Sequence, residues 1–122
     1  MILSDTEMDV LKALWEHSPQ SARELHDVLA ERTGWAVSTT RTVLERMRQK
    51  ELVVRDESHG LAVFSTARSK IEVLGESLDH LFRHVLEVSG NVPLSALTGS
   101  ALLDKNELSE LERMLNRRKR RP

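Results

Sequence analysis

The sequence predicts a mainly α-helical protein with a small β-wing, in which an N-terminal winged helix-turn-helix domain is followed by a helical dimerisation region. Three observations support this class. Three amphipathic helical segments follow one another at the start of the chain, two β-prone runs joined by a turn come next, and helical periodicity returns in the second half. We expect the first domain at residues 1–68, the dimerisation domain at 69–118 and a basic tail at 119–122.

The composition excludes several classes of protein. With 39% hydrophobic and 30% charged residues, the chain has the balance of a globular protein. Aromatic residues make up only 3%, so stacking of bases on aromatic rings cannot be the main mode of nucleic-acid binding. The absence of cysteine excludes disulfides and thiolate metal sites. No apolar run has the length of a signal peptide or a membrane span, so we expect a cytoplasmic protein with no membrane partner.

The first two helices are predicted from their capping boxes. Ser4 with Glu7, and Ser21 with Glu24, have the spacing at which a hydroxyl and a carboxylate cap each other's free backbone N–H groups. Gly34 is suited to end the second helix. The predicted apolar stripes are Val10, Leu11, Leu14 and Trp15 in the first helix, and Ala22, Leu25, Val28 and Leu29 in the second.

The third helix is predicted to begin at Ser38 and to have two unlike sides. One side is mostly apolar and is expected to pack inward, with Thr40, Val43, Leu44 and Met47. The opposite side is polar, with Ser38, Thr39, Arg41, Thr42, Glu45, Arg46 and Gln49. We expect the three helices to close a core that contains Trp15, Leu25, Leu29, Leu44 and Met47. The wing follows as two strands at 52–55 and 61–66 with a polar turn at 56–60.

The polar side of the third helix is typical of a helix that enters the DNA major groove. The net charge is −1, but residues 38–50 carry four basic side chains against Glu45 alone. Arg41 can donate two hydrogen bonds to guanine, and Thr39 and Thr42 can contact phosphate or a thymine methyl group. The expected partner is double-stranded operator DNA, contacted through Ser21, Ser38, Thr39, Arg41, Thr42 and Arg46, and through Arg55, Ser58 and His59 of the wing. Asp56 and Glu57 weaken the expectation for the wing because they repel phosphate.

The second half is predicted to contain one long helix over about 69–89, a short helix within 92–103, and a last helix that opens with the capping box of Asp104 and Glu107. A basic run starts at Arg117. Since the first domain closes its own core, these apolar faces need a partner, which a symmetric homodimer would supply. The predicted interface is Leu74, Leu78, Leu81, Phe82, Val85, Leu94, Leu97, Leu108, Leu111, Met114 and Leu115. A larger core within one chain is the alternative.

Nothing in the sequence indicates catalysis or a cofactor. No glycine-rich phosphate loop, no nucleophile with a base and no carboxylate pair is recognisable, so we do not expect an enzyme. His80 and His84 have the spacing of a metal pair, but no third ligand is evident, and we expect ordinary surface histidines. A winged-helix protein-interaction module and a regulator that senses a small ligand are the alternatives to a DNA-binding repressor.

Several motifs, taken in their order, resemble the penicillinase repressor family. They are the run 3–7 with Val10 and Leu14-Trp15, the run 21–25, Trp35 followed by 39–47, and Val63-Phe64-Ser65. The resemblance implies a homodimeric repressor of resistance genes such as β-lactamase genes. It also implies a membrane sensor protease whose signal leads to cleavage of the repressor within its dimerisation region.

The chain departs from the pattern of that family in two places. The usual Asn-Phe cleavage pair falls near Ala96 and Leu97, which are the candidate proteolysis residues although neither residue type is kept. The cysteine-rich metal motif of the copper-responsive branch is absent. The resemblance therefore does not extend to copper sensing.

Overall fold

The structure is a computed structural model that describes residues 3–91, 94 and 97–119. The chain divides into two compact units, Leu3–Ser69 and the residues from Lys70 onward. The first unit is a winged helix-turn-helix, as predicted. Its elements in chain order are α1 (Asp5–Glu16), β1 (Gln20–Ser21), α2 (Ala22–Thr33), α3 (Val37–Gln49), β2 (Val53–Ser58) and β3 (Leu61–Thr66). The elements of the second unit are α4 (Lys70–His80), which runs into a π-helical turn (Leu81–Val85), and α5 (Lys105–Lys119).

The predicted capping boxes of α1 and α2 are confirmed. The Ser4 hydroxyl accepts from the backbone N–H of Glu7 over 3.1 Å, and the Glu7 carboxylate accepts from the backbone N–H of Ser4 over 3.0 Å. Ser21 and Glu24 repeat these two bonds at the same distances. Gly34 ends α2 in the left-handed conformation, with φ of 67°, as predicted. The sharp connection that follows turns the chain into α3.

The core of the first unit is aliphatic. The buried side chains from α1, α2, α3 and the two wing strands include Val10, Leu11, Leu14, Leu25, Leu29, Leu44, Met47, Leu52 and Phe64. One predicted core position is wrong, because Trp15 is only half-buried. Val28 of the predicted α2 stripe is 53% exposed, because it lies at the solvent edge of that stripe.

A two-residue strand that the sequence did not predict joins the helices to the wing. In β1, Gln20 pairs with Phe64 and Ser21 pairs with Val63, so the sheet has the antiparallel order β1-β3-β2. The buried Gln20 side chain donates to the carbonyl oxygens of Ala13 over 3.1 Å and His17 over 2.6 Å. The Ala13 carbonyl also accepts from the backbone N–H of His17 over 3.1 Å, so Gln20 adds a second bond to the last turn of α1 and a bond to the carbonyl of its C-cap residue.

The wing is longer and its turn tighter than predicted. Strand β2 extends to Ser58, which pairs with Leu61, so the turn consists of His59 and Gly60 and not of 56–60. Both turn residues have positive φ, 52° and 77°, as a two-residue type I′ hairpin turn requires. Gly60 adopts this conformation without strain, which lets the ladder continue through residues that composition alone assigned to a loop.

The long helix of the second unit ends earlier than predicted. The α-helical part stops at His80, one π-helical turn follows, and residues 86–89 are not helical. The side chain of Arg83 donates to the carbonyl oxygens of Val88 and Gly90, each over 3.0 Å, and so holds the reversed chain after the turn. Part of the short helix predicted within 92–103 lies outside the described residues, at 92–93 and 95–96. Leu97 is 3₁₀-helical, with its N–H bonded to the Leu94 carbonyl over 2.9 Å, and a turn follows at 98–99.

Helix α5 packs on α4 and runs further than predicted. Its capping box is confirmed, because the Asp104 carboxylate accepts from Glu107 N–H over 2.8 Å and Glu107 accepts from Asp104 N–H over 3.0 Å. The helix continues through the basic residues to Lys119, since cations are favourable at a helix C-terminus. Of the predicted tail, 120–122 lie outside the described residues. Over the stretches 3–91 and 97–119, no helix combines the length and apolarity that a bilayer span needs.

Candidate nucleic-acid interface

The exposed face of α3 contains most of the residues expected to contact DNA. Helix α3 buries Thr40, Leu44 and Met47, while Val43 is only half-buried. The residues that it exposes are Ser38, Thr39, Arg41, Thr42, Glu45, Arg46, Arg48 and Gln49. One helix of the first unit thus presents three hydroxyls and an arginine within its first two turns, and the Thr42 hydroxyl donates to the Ser38 carbonyl oxygen over 3.0 Å.

The N-terminus of α3 differs from the prediction and leaves backbone donors free. The helix begins at Val37, with Ala36 as the N-cap residue and no side-chain cap, whereas Ser38 was expected to begin it. Thr39 N–H bonds to the Ala36 carbonyl over 3.0 Å. Among the described residues, the backbone N–H groups of Val37 and Ser38 have no partner. Such free donors at the positive end of a helix are suited to a phosphate oxygen.

The charges on α3 divide into paired and free cations. Arg48 donates to the Glu45 carboxylate through Nε over 3.0 Å and through Nη2 over 2.5 Å. The hydrogen bond from Arg48 is the largest of the influences that lower the pKa of Glu45, with the charges of Arg48 and Arg55 acting in the same direction. Within the described part of the chain, Arg41 and Arg46 have no hydrogen bond or ion pair. These two guanidinium groups are therefore available to an anionic partner.

Two contacts fix α3 to its neighbours. On its buried side, the Thr40 hydroxyl lies 2.9 Å from Nδ1 of His26 on α2. At its C-terminus, Lys50 Nζ donates to the Glu7 carboxylate on α1 over 2.8 Å. Burial alone would raise the pKa of Glu7, but the hydrogen bonds from Lys50 and Ser4 and the charge of Lys50 lower it overall. The sequence reasoning missed His26 and Lys50 because their partners lie on other helices.

The structure does not bring all the predicted wing residues to one face. Residues alternate between the two faces of a strand, so Arg55 lies on one face of the hairpin and Ser58 on the other. Arg55 lines a groove with Glu45 and Arg48 and so borders the C-terminal half of α3. His59 occupies the turn. Arg55 therefore adjoins the α3 face, whereas Ser58 does not share its surface.

Ser21 is not available as a DNA contact in this structure. The residue is 5% exposed, and its hydroxyl is occupied by the cap bond to Glu24 N–H. The prediction for Ser21 confused a capping hydroxyl with a surface hydroxyl. A cavity of about 270 Å³ lies instead beside the α3 face, lined by Ser4, Thr6, Glu7, Trp35, Val43, Arg46 and Lys50.

In the second unit, the predicted dimer residues fall into three groups by exposure. Five are buried within the single chain, between 0% and 9% exposed: Leu74, Leu94, Leu108, Leu111 and Leu115. Leu81 and Val85 are 40% and 58% exposed, and neighbouring Leu86 is 56% exposed. The half-buried members are Leu78, Phe82, Leu97 and Met114. Of the two candidate proteolysis residues, Ala96 lies outside the described residues.

Comparisons with known proteins agree with this architecture. The model of the penicillinase repressor family matches residues 3–117. The transcriptional regulator BlaI of Mycobacterium tuberculosis strain H37Rv is 38% identical over 64 residues, which are 49% of this chain and 46% of that protein. An uncharacterised 16.5 kDa protein from the ptsI 3′ region of Latilactobacillus sakei is 21% identical over 113 residues, 93% of this chain and 77% of that protein. Because the family match spans nearly the whole sequence, the chain belongs to the penicillinase repressor family and is a DNA-binding transcriptional repressor rather than an enzyme.

Proposed function

We propose that this repressor binds double-stranded operator DNA by placing α3 in the major groove. The observation that carries the proposal is the pair of unpaired guanidinium groups, Arg41 and Arg46, on the exposed face of an uncapped helix. In this position Arg41, together with Thr39 and Thr42, would contact base edges. The free N–H groups of Val37 and Ser38 would hold a phosphate, and Arg46 a second one.

The proposed repressor acts as a homodimer on an operator with two-fold symmetry. Leu81, Val85 and Leu86 leave apolar surface exposed along one short segment, and such surface is suited to a second copy of the same chain. One winged domain makes few base contacts, so linking two domains raises the effective concentration of the second to roughly millimolar. Loss of the dimer would therefore release DNA without any change in α3.

The name of the penicillinase repressor family suggests which kind of gene is repressed, and the family resemblance suggests how repression is relieved. We propose that the operator controls a resistance-type gene of the β-lactamase kind, and that a signal acting on the second unit relieves repression. A sensor protease is a candidate for that signal. If it cuts near Leu97, it would act on a half-buried residue in a tight turn, next to the buried side chain of Leu94.

Enrichment of genomic DNA on the purified protein, followed by sequencing, tests this proposal. Wild type is compared with Arg41→Ala and with Arg32→Ala, which removes an equal charge from α2. Arg32 is paired with Asp9 over 2.9 Å and is a matched control. We expect wild type and Arg32→Ala to enrich the same few symmetric sites and Arg41→Ala to lose them. Equal enrichment by all three proteins would instead favour a protein-interaction role for α3.

A further inference from the structure

Two histidines in the second unit come together in a way that the sequence pattern alone did not establish. His80 is the last residue of α4, and His84 lies in the π-helical turn that follows. Their ring centroids are 5.2 Å apart and the rings are inclined by 30°. His84 is exposed and His80 is half-buried, so both rings can be reached from solvent. No hydrogen bond with another described residue occupies either imidazole.

We propose that His80 and His84 form a chelating site for a late first-row divalent metal ion such as Zn²⁺ or Ni²⁺. Two imidazoles bound to one tetrahedral ion have centroids about 5 Å apart, because each nitrogen lies about 2.0 Å from the metal. The observed centroid separation of 5.2 Å is close to this value, and the two rings are stacked, so their nitrogens have to turn toward a common point before they can share an ion. Rotation of each ring about its Cβ–Cγ bond, a soft torsion, directs one nitrogen of each residue to a common ion.

The surroundings of the pair also suit a cation. A groove beside His84 is lined by the carboxylates of Asp79 and Glu87, which place negative charge near the exposed ring. The positive charge of Arg83 lies in the same groove, but it is bound to backbone carbonyls and lies 3.6 Å from the Asp79 carboxylate. Imidazole nitrogen is a preferred ligand of zinc, nickel and copper, whereas magnesium and calcium prefer oxygen ligands. The site is therefore expected to select the former group.

The chain itself supplies two ligands. Over the described residues, no group of three or more His, Cys, Asp or Glu side chains is placed to hold a metal ion. Water molecules would complete the coordination of an ion on this pair. The ion would link the end of α4 to the π-helical turn and so stiffen the segment that exposes Leu81 and Val85. That last consequence rests on the proposed dimer, whereas metal binding itself does not.

Calorimetric titration of protein free of any histidine tag with ZnCl₂ and, separately, NiCl₂ tests the site. The variants are His80→Gln and His84→Gln, with His59→Gln in the wing turn as the control, since it also removes one exposed imidazole. We expect saturable binding of one ion per chain, at least tenfold weaker in either site variant and unchanged in His59→Gln. We also expect the metal to raise the unfolding temperature of wild type but not of His84→Gln.

Either of two results would overturn the metal site. One is the absence of saturable binding in wild type, and the other is binding that survives both site substitutions at full affinity. Circular dichroism of each variant shows whether it is folded, and the exposed position of His84 makes that variant the safer of the two. Because the titration uses no DNA, its outcome is independent of the operator experiment.

Discussion

The Nδ1 atom of His26 lies 2.9 Å from the Oγ1 atom of Thr40, and this hydrogen bond joins the two helices of the helix-turn-helix. Thr40 is completely buried on the inner side of α3, whereas His26 is half-buried on α2. A buried hydroxyl without a partner is costly, so the bond contributes to fixing the rotation of α3 about its axis. That rotation determines which side chains α3 presents to solvent.

The two ends of this bond are expected to respond unequally to mutation. His26→Ala leaves the buried Thr40 hydroxyl without its partner and should lower the free energy of unfolding by about 1–3 kcal/mol. Thr40→Val removes the hydroxyl with little change of shape and leaves a half-exposed imidazole that water can reach, so it should cost about 1 kcal/mol. Urea unfolding of both variants and of the double variant measures the coupling. Costs that simply add would show that the bond contributes nothing.

Acid is expected to destabilise the first unit through Glu7. The pKa of Glu7 is lowered in the folded chain from its ordinary value of 4.5, so the ionised carboxylate stabilises the fold above that value. This stability is lost as the pH falls through the lowered pKa. Lys50→Met removes the bond to Glu7 and should cost about 1 kcal/mol at neutral pH. It should also move the acid unfolding midpoint to higher pH, as followed by circular dichroism. An unchanged midpoint would show that Lys50 does not determine the pKa of Glu7.

Close packing at Gly75 is expected to limit substitution on α4. A Cβ atom at this buried helical glycine would collide with the Met114 side chain of α5 and would contact Leu111. Gly75→Leu should therefore lower the free energy of unfolding by about 1–3 kcal/mol, although leucine is the better helix former. Met114→Ala combined with Gly75→Leu should recover part of the loss, because it removes the colliding atoms. If the double variant unfolds at the same temperature as Gly75→Leu alone, the collision with Met114 is not the cause of the lost stability.

The features that could be predicted from the sequence depend on neighbours in the chain. The capping boxes at Ser4, Ser21 and Asp104 each join residues three positions apart, and Gly34 ends α2 through its own backbone freedom. The order of helices and strands follows from the periods of 3.6 and 2 residues. The exposed face of α3 was predictable for the same reason, since one helix determines which of its residues share a side.

The features that could not be predicted depend on distant partners. Strand β1 has two residues and therefore no period, and it exists because β3 offers an edge to Gln20 and Ser21. The bond between His26 and Thr40 depends on the crossing of two helices. The apolar stripe of α5 gave no sign of whether it faces α4 or a second copy, and in the structure Leu111 is buried within the single chain. The polar composition of residues 56–58 likewise indicated a loop, whereas the two-residue turn at His59 and Gly60 lets β2 continue to Ser58.

Dimerisation is expected to depend on the exposed apolar residues and not on the buried ones. Val85→Asp places a charge on a residue that is 58% exposed, so the single chain should stay folded while the proposed dimer dissociates. Val28→Asp on α2 is the matched control, since that valine is 53% exposed. Sedimentation velocity should show a monomer for Val85→Asp alone, with operator affinity at least tenfold lower. A Val85→Asp variant that still sediments as a dimer and binds fully would exclude this surface.

The ion pair between Arg48 and Glu45 is expected to restrain DNA binding. Glu45 lies on the exposed face of α3 as a carboxylate at neutral pH, and the hydrogen bond from Arg48 is the largest influence that lowers its pKa further. Glu45→Gln removes a charge that repels phosphate and weakens the hold on Arg48. We expect operator affinity to rise about tenfold and the slope of log K against log salt to steepen by about 1, since one more cation reaches phosphate.

The control for this last prediction is Glu31→Gln, which makes the same change of net charge at an exposed position of α2. A general effect of net charge would raise the affinity of both variants equally, whereas an effect of Arg48 is confined to Glu45→Gln. Fluorescence anisotropy at several salt concentrations separates the two, because a newly engaged cation changes the slope as well as the affinity. If Arg48→Ala in the Glu45→Gln background restores the original slope of log K against log salt, Arg48 is the cation that the ion pair with Glu45 keeps from contacting phosphate. If the steeper slope persists without Arg48, the gain comes from removing repulsion alone, and Arg48 has no part in binding.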